Sequence, residues 1–168
     1  MMEKGSSVTI EIEDIMLSKG HDFKGRHGQE RLDHGVERVD SVECVEGQGL
    51  RGDRFFGFQE DFKGQVTFID RKTIEAVAER IQDPDLDPAA LRRNIVVSGL
   101  DLNDLIGRKF EVDGVRFSGS EECSPCVWMN VSAGEGAMET MVGRGGLRCR
   151  ILNTGMLKKG SVELKTLD

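Results

Sequence analysis

The stretch "KFEVDGVRF" (Lys109–Phe117) constrains the fold more than any other part of the chain. Asp113-Gly114 stands between residues that alternate apolar and polar, and that pattern predicts a tight two-residue hairpin. Strand-like segments recur on both sides of it. Val8, Ile10 and Ile12 alternate with polar residues, as in a half-buried strand. In "VERVDSVECVEGQG" the valines fall at 36, 39, 42 and 45. That spacing fits a helix or a bulged strand, and valine enrichment with the terminal Gly47 and Gly49 favours the strand. "GQVTFID", "NIVVSG", "LRCRIL" and "SVELK" continue the series, with Leu147, Cys149 and Ile151 expected to point inward.

Helical signals are fewer. Asp70 is placed to cap a helix reaching about Ile81, whose face carries Ile74, Val77, Ala78 and Ile81. Asp87 followed by Pro88 predicts a second, short helix start, and a third short helix is expected from Ala137 to Val142. No βαβ rhythm is evident. The fold class expected is therefore mainly β with a few short helices, a barrel-like and mostly antiparallel sheet.

The chain has 168 residues, 38% of them hydrophobic, enough for one core and a single domain over residues 1–168. Its 21 glycines, single Trp and absence of Tyr suit a loop-rich fold, and only three prolines argue against a disordered one. A net charge of −7 speaks against nucleic acid or an anionic membrane as the partner. The N-terminus does not resemble a signal peptide, and no run approaches the ~18 apolar residues of a membrane span. A cytoplasmic protein with reduced thiols is the expectation. Arginines nevertheless gather locally, at Arg51 and Arg54, Arg92 and Arg93, and Arg144 to Arg150.

Chemistry concentrates in "SGSEECSPCVWMN" (Ser118–Asn130), where Cys123 and Cys126 flank a Ser-Pro pair. Closed zinc sites take four ligands, usually as two paired sets, and no second set is present. A thioredoxin-like dithiol needs a helix N-terminus at the thiol, whereas "VWMN" shows no helical periodicity. Packing is the simplest account of Cys44 and Cys149, which are flanked by apolar residues at strand spacing. For the loop pair, a thiolate near arginines has a setting in which sulfur becomes reactive or ligates a metal.

"GLRGDR" and "RRNIVV" set guanidinium groups against glycine or turn-like backbone, a combination suited to anions. Asp53 is expected to organise its loop or pair with an arginine. The polar segment Ser18–Gly35 holds all three histidines, His21, His27 and His34, with no partner at ligand spacing. It reads as a long loop.

Taken in order, "EGQGLRGDRFFG", "GQVTFID", "RRNIVVSGLDLNDLIGRKFEVDGVRF", "CSPC" and "GLRCRILNTGMLKKGSV" resemble the MOSC domain, named for the C-terminal part of molybdenum cofactor sulfurases. The likeness is to a standalone bacterial-type member and spans nearly the whole chain. It implies a compact barrel of the pyruvate-kinase β-barrel type, with a cysteine that carries sulfur as a persulfide or ligates molybdenum. That cysteine corresponds to Cys126. By the family pattern Arg92 and Asn94 lie near molybdenum cofactor, and Arg54 and Arg148 are further anion contacts. Relatives often carry histidine where this chain has Phe55 and Phe56. The pyridoxal-phosphate domain of the sulfurases and the accessory N-terminal β domain of the amidoxime-reducing relatives are not expected here, and neither is pyridoxal phosphate.

Three functions follow from the resemblance. The first is a molybdenum-dependent oxidoreductase acting on N-hydroxylated small molecules with electrons from a donor protein. The second is a persulfide carrier working through Cys126 without metal, between a sulfur donor and an acceptor. The third is a binding module without chemistry.

Overall fold

The computed structural model describes residues 2–26 and 28–168; His27 lies outside them. Strand β1 (Ser7–Leu17) is followed by β2 (Glu37–Val39), β3 (Ser41–Val45), β4 (Gly49–Leu50) and β5 (Val66–Asp70). Helix α1 (Arg71–Ile81) and a 3-10 turn (Pro88–Leu91) lead to β6 (Ile95–Ser98). After a second 3-10 turn (Leu102–Leu105) come β7 (Lys109–Val112) and β8 (Val115–Glu122), then α2 (Trp128–Ser132) and α3 (Ala137–Met141). Strands β9 (Leu147–Ile151), β10 (Gly155–Lys158) and β11 (Gly160–Thr166) finish the described chain.

Seven of these strands form a closed barrel in the order β11-β7-β8-β9-β5-β6-β1, with β1 pairing back onto β11 and β2 attached outside β1. Strands β10, β3 and β4 make a separate small sheet. The barrel expected from the sequence is present, and the Asp113-Gly114 hairpin sits where expected, with Val112 paired to Val115. One pair departs from the antiparallel expectation. β5 and β6 run parallel, Phe68 beside Ile95, and α1 lies in the connection between them, so a single βαβ crossover is built into an otherwise antiparallel wall.

Both faces of β5 are buried, which is why "VTFID" reads as a continuous apolar run. Val66 and Phe68 belong to the barrel interior with Phe110, Phe117, Leu147 and Cys149. Phe117 meets Phe110 at 5.3 Å and Phe68 edge-on at 5.4 Å, the geometries that aromatic quadrupoles favour. Ile69 faces outward into a second core with Met16, Val96, Ile74, Val77 and Met141. Helix α1 starts where predicted: the Asp70 carboxylate accepts from the Lys72 backbone N–H at 2.9 Å, and Ile74 and Val77 are buried. Asp87 does the same for Ala89 at 2.9 Å ahead of the short turn. Helix α3 covers most of the third predicted helix.

Candidate functional site

The stretch Leu91–Asn94 leaves the 3-10 turn and enters β6 along the outer wall of the barrel. Arg92 takes a left-handed backbone conformation (φ 61°), uncommon for a residue with a side chain. The reversal sends consecutive arginines to different partners. Arg93 is buried, and its guanidinium donates to three backbone carbonyls: Gly145 at 2.8 Å, Leu91 at 3.1 Å and Cys123 at 2.7 Å. Asn94 is also buried. Its carbonyl oxygen accepts from the Thr67 N–H at 3.0 Å and the Thr67 hydroxyl at 3.1 Å, and its NH2 donates to Met16 O at 3.2 Å. Both ends of that amide are committed to the wall between β5, β6 and β1.

Arg93 thereby fixes the cysteine loop. Past β8, Cys123 N–H donates to Gly146 O at 2.8 Å, and a Cβ on Gly145 would lie 2.2 Å from Cys123 O. Only glycine permits that approach. Cys123 is buried, whereas Cys126, three residues on, is exposed. Helix α2 follows directly, with Met129 N–H donating to Cys126 O at 2.9 Å and the Ser132 hydroxyl to Ala90 O at 2.5 Å. The sequence shows no helical periodicity here because five residues are too few to display one. Tertiary contacts, such as Asn130 accepting from Met138 N–H at 2.9 Å, hold the turn instead. Cys44 and Cys149 are packed in the barrel as expected. Burial pushes the Cys44 thiol up to about 12. It also raises Cys149 well above its ordinary range, with a smaller push from Cys123. Neither is a thiolate near neutrality.

The polar segment on either side of His27, residues 18–26 and 28–35, lies against this region as a strap, and Asp22 fastens it. The Asp22 side chain is fully buried. It accepts from Arg92 Nη1 at 3.1 Å, Arg31 Nη2 at 3.2 Å, His34 Nδ1 at 2.7 Å and the His34 backbone N–H at 2.9 Å. Burial by itself raises the Asp22 carboxyl, but the His34 hydrogen bonds and the charges of Arg92 and Arg31 outweigh it and hold it below the usual carboxylate range. The next residue, Phe23, stacks on Trp128 at 4.8 Å, and the Arg92 guanidinium lies 5.7 Å from the same ring. One phenyl ring thus joins the helix that begins beside Cys126 to the arginine cluster.

Arg54 completes that cluster. Its backbone N–H donates to Ser18 O at 2.7 Å, and Asp53 organises the turn by accepting from Ser18 N–H at 3.0 Å and Phe55 N–H at 3.3 Å. The Arg54 side chain is 12% exposed and reaches Asp53 and Arg92 O only at 3.4 Å each. Burial, only partly offset by the Asp53 charge, lowers its pKa, and the Arg92 charge adds to that effect. Arg92 is more confined still: its side chain is 7% exposed, Nη2 has the Ser18 hydroxyl at 3.3 Å, and Nε is buried with no acceptor. Arg31, Arg54 and Arg92 meet two buried carboxylates, Asp22 and Asp53, with the exposed Asp33 3.9 Å from Arg31. Charge is close to balanced, and what the cluster offers an anion is the unpartnered Nε of Arg92.

Arg148 stands apart. It projects from the outside of β9, half exposed, toward Glu121 Oε1 at 3.4 Å. An aromatic row links its surroundings to Arg54. Arg54 lies 4.7 Å from the Phe55 ring, Phe55 stacks with Phe58 at 5.3 Å and Phe62 at 5.4 Å, and His21 meets Phe55 edge-on at 5.0 Å. A Cβ on Gly64 would touch the Phe62 ring at 3.3 Å and Arg148 Cδ at 3.5 Å, so ring and stem flank one glycine. The Asp22 fastening, the Phe23–Trp128 stack and the role of Arg93 were not foreseen. "RRN" gives no sign of which arginine is structural, and Asp22 meets Arg92 only through the fold.

Among the described residues no group of three His, Cys, Asp or Glu side chains could hold a metal ion, and no helix is long and apolar enough to cross a membrane. A cavity of about 290 Å³ opens onto Arg31, Arg38 and Arg92, with the carboxylates of Asp33 and Asp87 and with Ser132 in the same lining. Another of about 500 Å³ lies elsewhere, lined by Glu46, Gln48, Glu60, Asp61, Gln65 and Arg150, away from the cysteine loop.

The family model of the MOSC domain matches residues 26–162. In fold the chain is similar to YuaD from Bacillus subtilis, with a TM-score of 0.76 and 18% identity over 98% of this chain and 100% of that one. It is also similar to YiiM from Geobacillus stearothermophilus (TM-score 0.68, 19% identity, 95% of this chain and 75% of that one). YiiM from Escherichia coli follows at 0.61 and 16%, over 97% and 70%. No curated protein matches the chain.

Proposed function

Since the chain belongs to the MOSC domain family, which binds molybdenum cofactor in general, we propose that it is a molybdenum-dependent reductase of N-hydroxylated small molecules, with Cys126 as the protein's ligand to the metal. The observation that carries this reading is the shared Phe23 ring, stacked on Trp128 and beside the Arg92 guanidinium. It connects the helix that begins two residues after the exposed Cys126 to the buried Arg92, whose Nε lacks an acceptor. A pterin with a phosphate tail asks for both, a soft donor at one end and guanidinium groups at the other.

The residues present fit that group. The unpartnered Nε of Arg92 and the long contacts of Arg54 are spare donors for phosphate oxygens. A lone thiolate does not hold a bare ion, but it is sufficient for a metal that arrives with ligands of its own. Arg92 and Arg54 would hold the phosphate. Asn94 would act from behind them, by locking the wall through Thr67 and Met16. Arg148 would guard the far end of the aromatic row. Cys126 would offer its sulfur at the exposed end. The net reaction adds two electrons and two protons to an N–OH group, giving N–H and water. A donor protein provides the electrons, and the cofactor, when bound, supplies the redox chemistry.

Exposure of Cys126 favours a second reading, a persulfide carrier that passes sulfur from a donor to an acceptor protein without metal. The test is the metal content of protein made in a host that synthesises the cofactor, wild type against Cys126→Ser. Stoichiometric molybdenum that is lost in the variant supports the reductase. No metal in either, with an added sulfur mass on wild type alone, supports the carrier and overturns the reductase.

A further inference from the structure

The Arg92 guanidinium is in an unusual state for a buried cation. One N–H group meets the Asp22 carboxylate, a second has only a 3.3 Å contact with the Ser18 hydroxyl, and Nε has no acceptor at all. A buried donor without a partner is costly. The neighbouring Arg93 shows that this stretch of backbone can saturate a guanidinium, since it donates to three carbonyls. Arg92 therefore has room for one more acceptor than the protein supplies. The groups that engage it, Ser18 and Asp22, lie four residues apart on one polar segment of the strap. The carboxylate that neutralises it is anchored independently by Arg31 and by both nitrogens of His34 that face it. Asp22 thus keeps partners when Arg92 leaves it.

We propose that Asp22 is an internal anion that competes with the ligand's phosphate for Arg92. In the state described, Asp22 holds the arginine and the segment Ser18–Phe23 covers it. An incoming phosphate takes over the Arg92 N–H groups and gives Nε the acceptor it lacks. Asp22 falls back on Arg31 and His34, and Phe23 moves off Trp128 as the segment shifts. The strap is thereby coupled to occupancy: the empty site is closed by its own carboxylate, and unrelated anions must outcompete that carboxylate to enter. The assignment of the ligand as a phosphate-bearing cofactor rests on the function proposed above, while the competition itself concerns any anion at Arg92.

Calorimetric titration of the full chain with inorganic pyrophosphate tests the idea, and the emission of Trp128, the single tryptophan, reports the strap. Replacing Asp22 by Asn keeps the shape and removes the competing charge. Affinity is expected to rise about tenfold, the scale of one charge-assisted hydrogen bond. Emission of the unliganded variant should already lie near that of the liganded wild type. His34→Gln weakens the grip on Asp22 without touching an arginine and should move affinity less, in either direction but with the emission change still tied to binding; it serves if Asp22→Asn does not fold. Unchanged or weaker binding by Asp22→Asn overturns the proposal, because Asp22 then positions Arg92 instead of competing for it. So does pyrophosphate binding that leaves the Trp128 emission of wild type and His34→Gln unaltered. If molybdenum co-purifies while neither protein binds pyrophosphate, this inference fails and the reductase stands. If pyrophosphate competition appears in a protein that never holds molybdenum, the reductase fails and this inference stands.

Discussion

The barrel wall and the strap laid against it satisfy their polar groups by different means. In the wall, most partners are backbone: Arg93 donates to three carbonyls, and Asn94 is locked by Met16 O and the Thr67 N–H, with the Thr67 hydroxyl beside them. In the strap, most are side chains: Asp22 to Arg31, Arg92 and the His34 ring, with one His34 backbone N–H, and Phe23 to Trp128. Backbone carbonyls cannot leave without unfolding the element that carries them, whereas a side chain can exchange one partner for another. The difference separates what must stay fixed under the cysteine loop from what can give way to a ligand.

Three changes break or sharpen that contrast. Phe117→Ala removes a ring that is wholly buried in the barrel among Phe68 and Phe110. It is expected to cost about 3–5 kcal/mol, read as a lower midpoint in urea unfolding. Phe23→Ala removes a half-buried ring from the strap, and its loss is expected to cost only about 1 kcal/mol while shifting Trp128 emission. If the two variants lost equal stability, wall and strap would be one cooperative unit and the distinction would fail.

The smallest effect is that of acid. The folded Asp22 carboxyl is held below its ordinary value, so its contribution is intact above the unfolded value of about 3.9. It fades as pH falls from there and is lost once pH drops through the folded value. Trp128 emission should therefore change only below about pH 3.9, as Asp22 takes up its proton, and Asp22→Asn should abolish that step.

Much of the wall was legible in the sequence because its signals are local. Asp113-Gly114 specified a hairpin, Asp70 and Asp87-Pro88 marked helix starts, and the alternation around Cys149 put that thiol inside. The parallel pairing of β5 with β6 was not legible, since "VTFID" and "IVVS" look the same whichever way they run. Helix α2 escaped because its five residues are held by Ala90 and Met138 and not by their own periodicity. Exposure of Cys126 fits its place in a polar loop. The roles of Arg92 and Arg93 could not be told apart, because they depend on a left-handed residue and on partners brought in by the fold, such as Asp22 for Arg92 and Gly145 for Arg93. Asp22 gave no signal at all: an aspartate in a glycine-rich loop becomes the centre of a charge network only once the strap has met the wall.

The seam where β1 meets β11, with Ser7 opposite Lys165, joins segments from opposite ends of the described chain. During synthesis the barrel cannot close until residues 160–166 have emerged from the ribosome. Until then β1 and β7 each wait with one unpaired edge, open to the wrong neighbour. Closure by so distant a pairing is also slow for a chain of this size. The last of the described strands to be made is the one that seals the barrel.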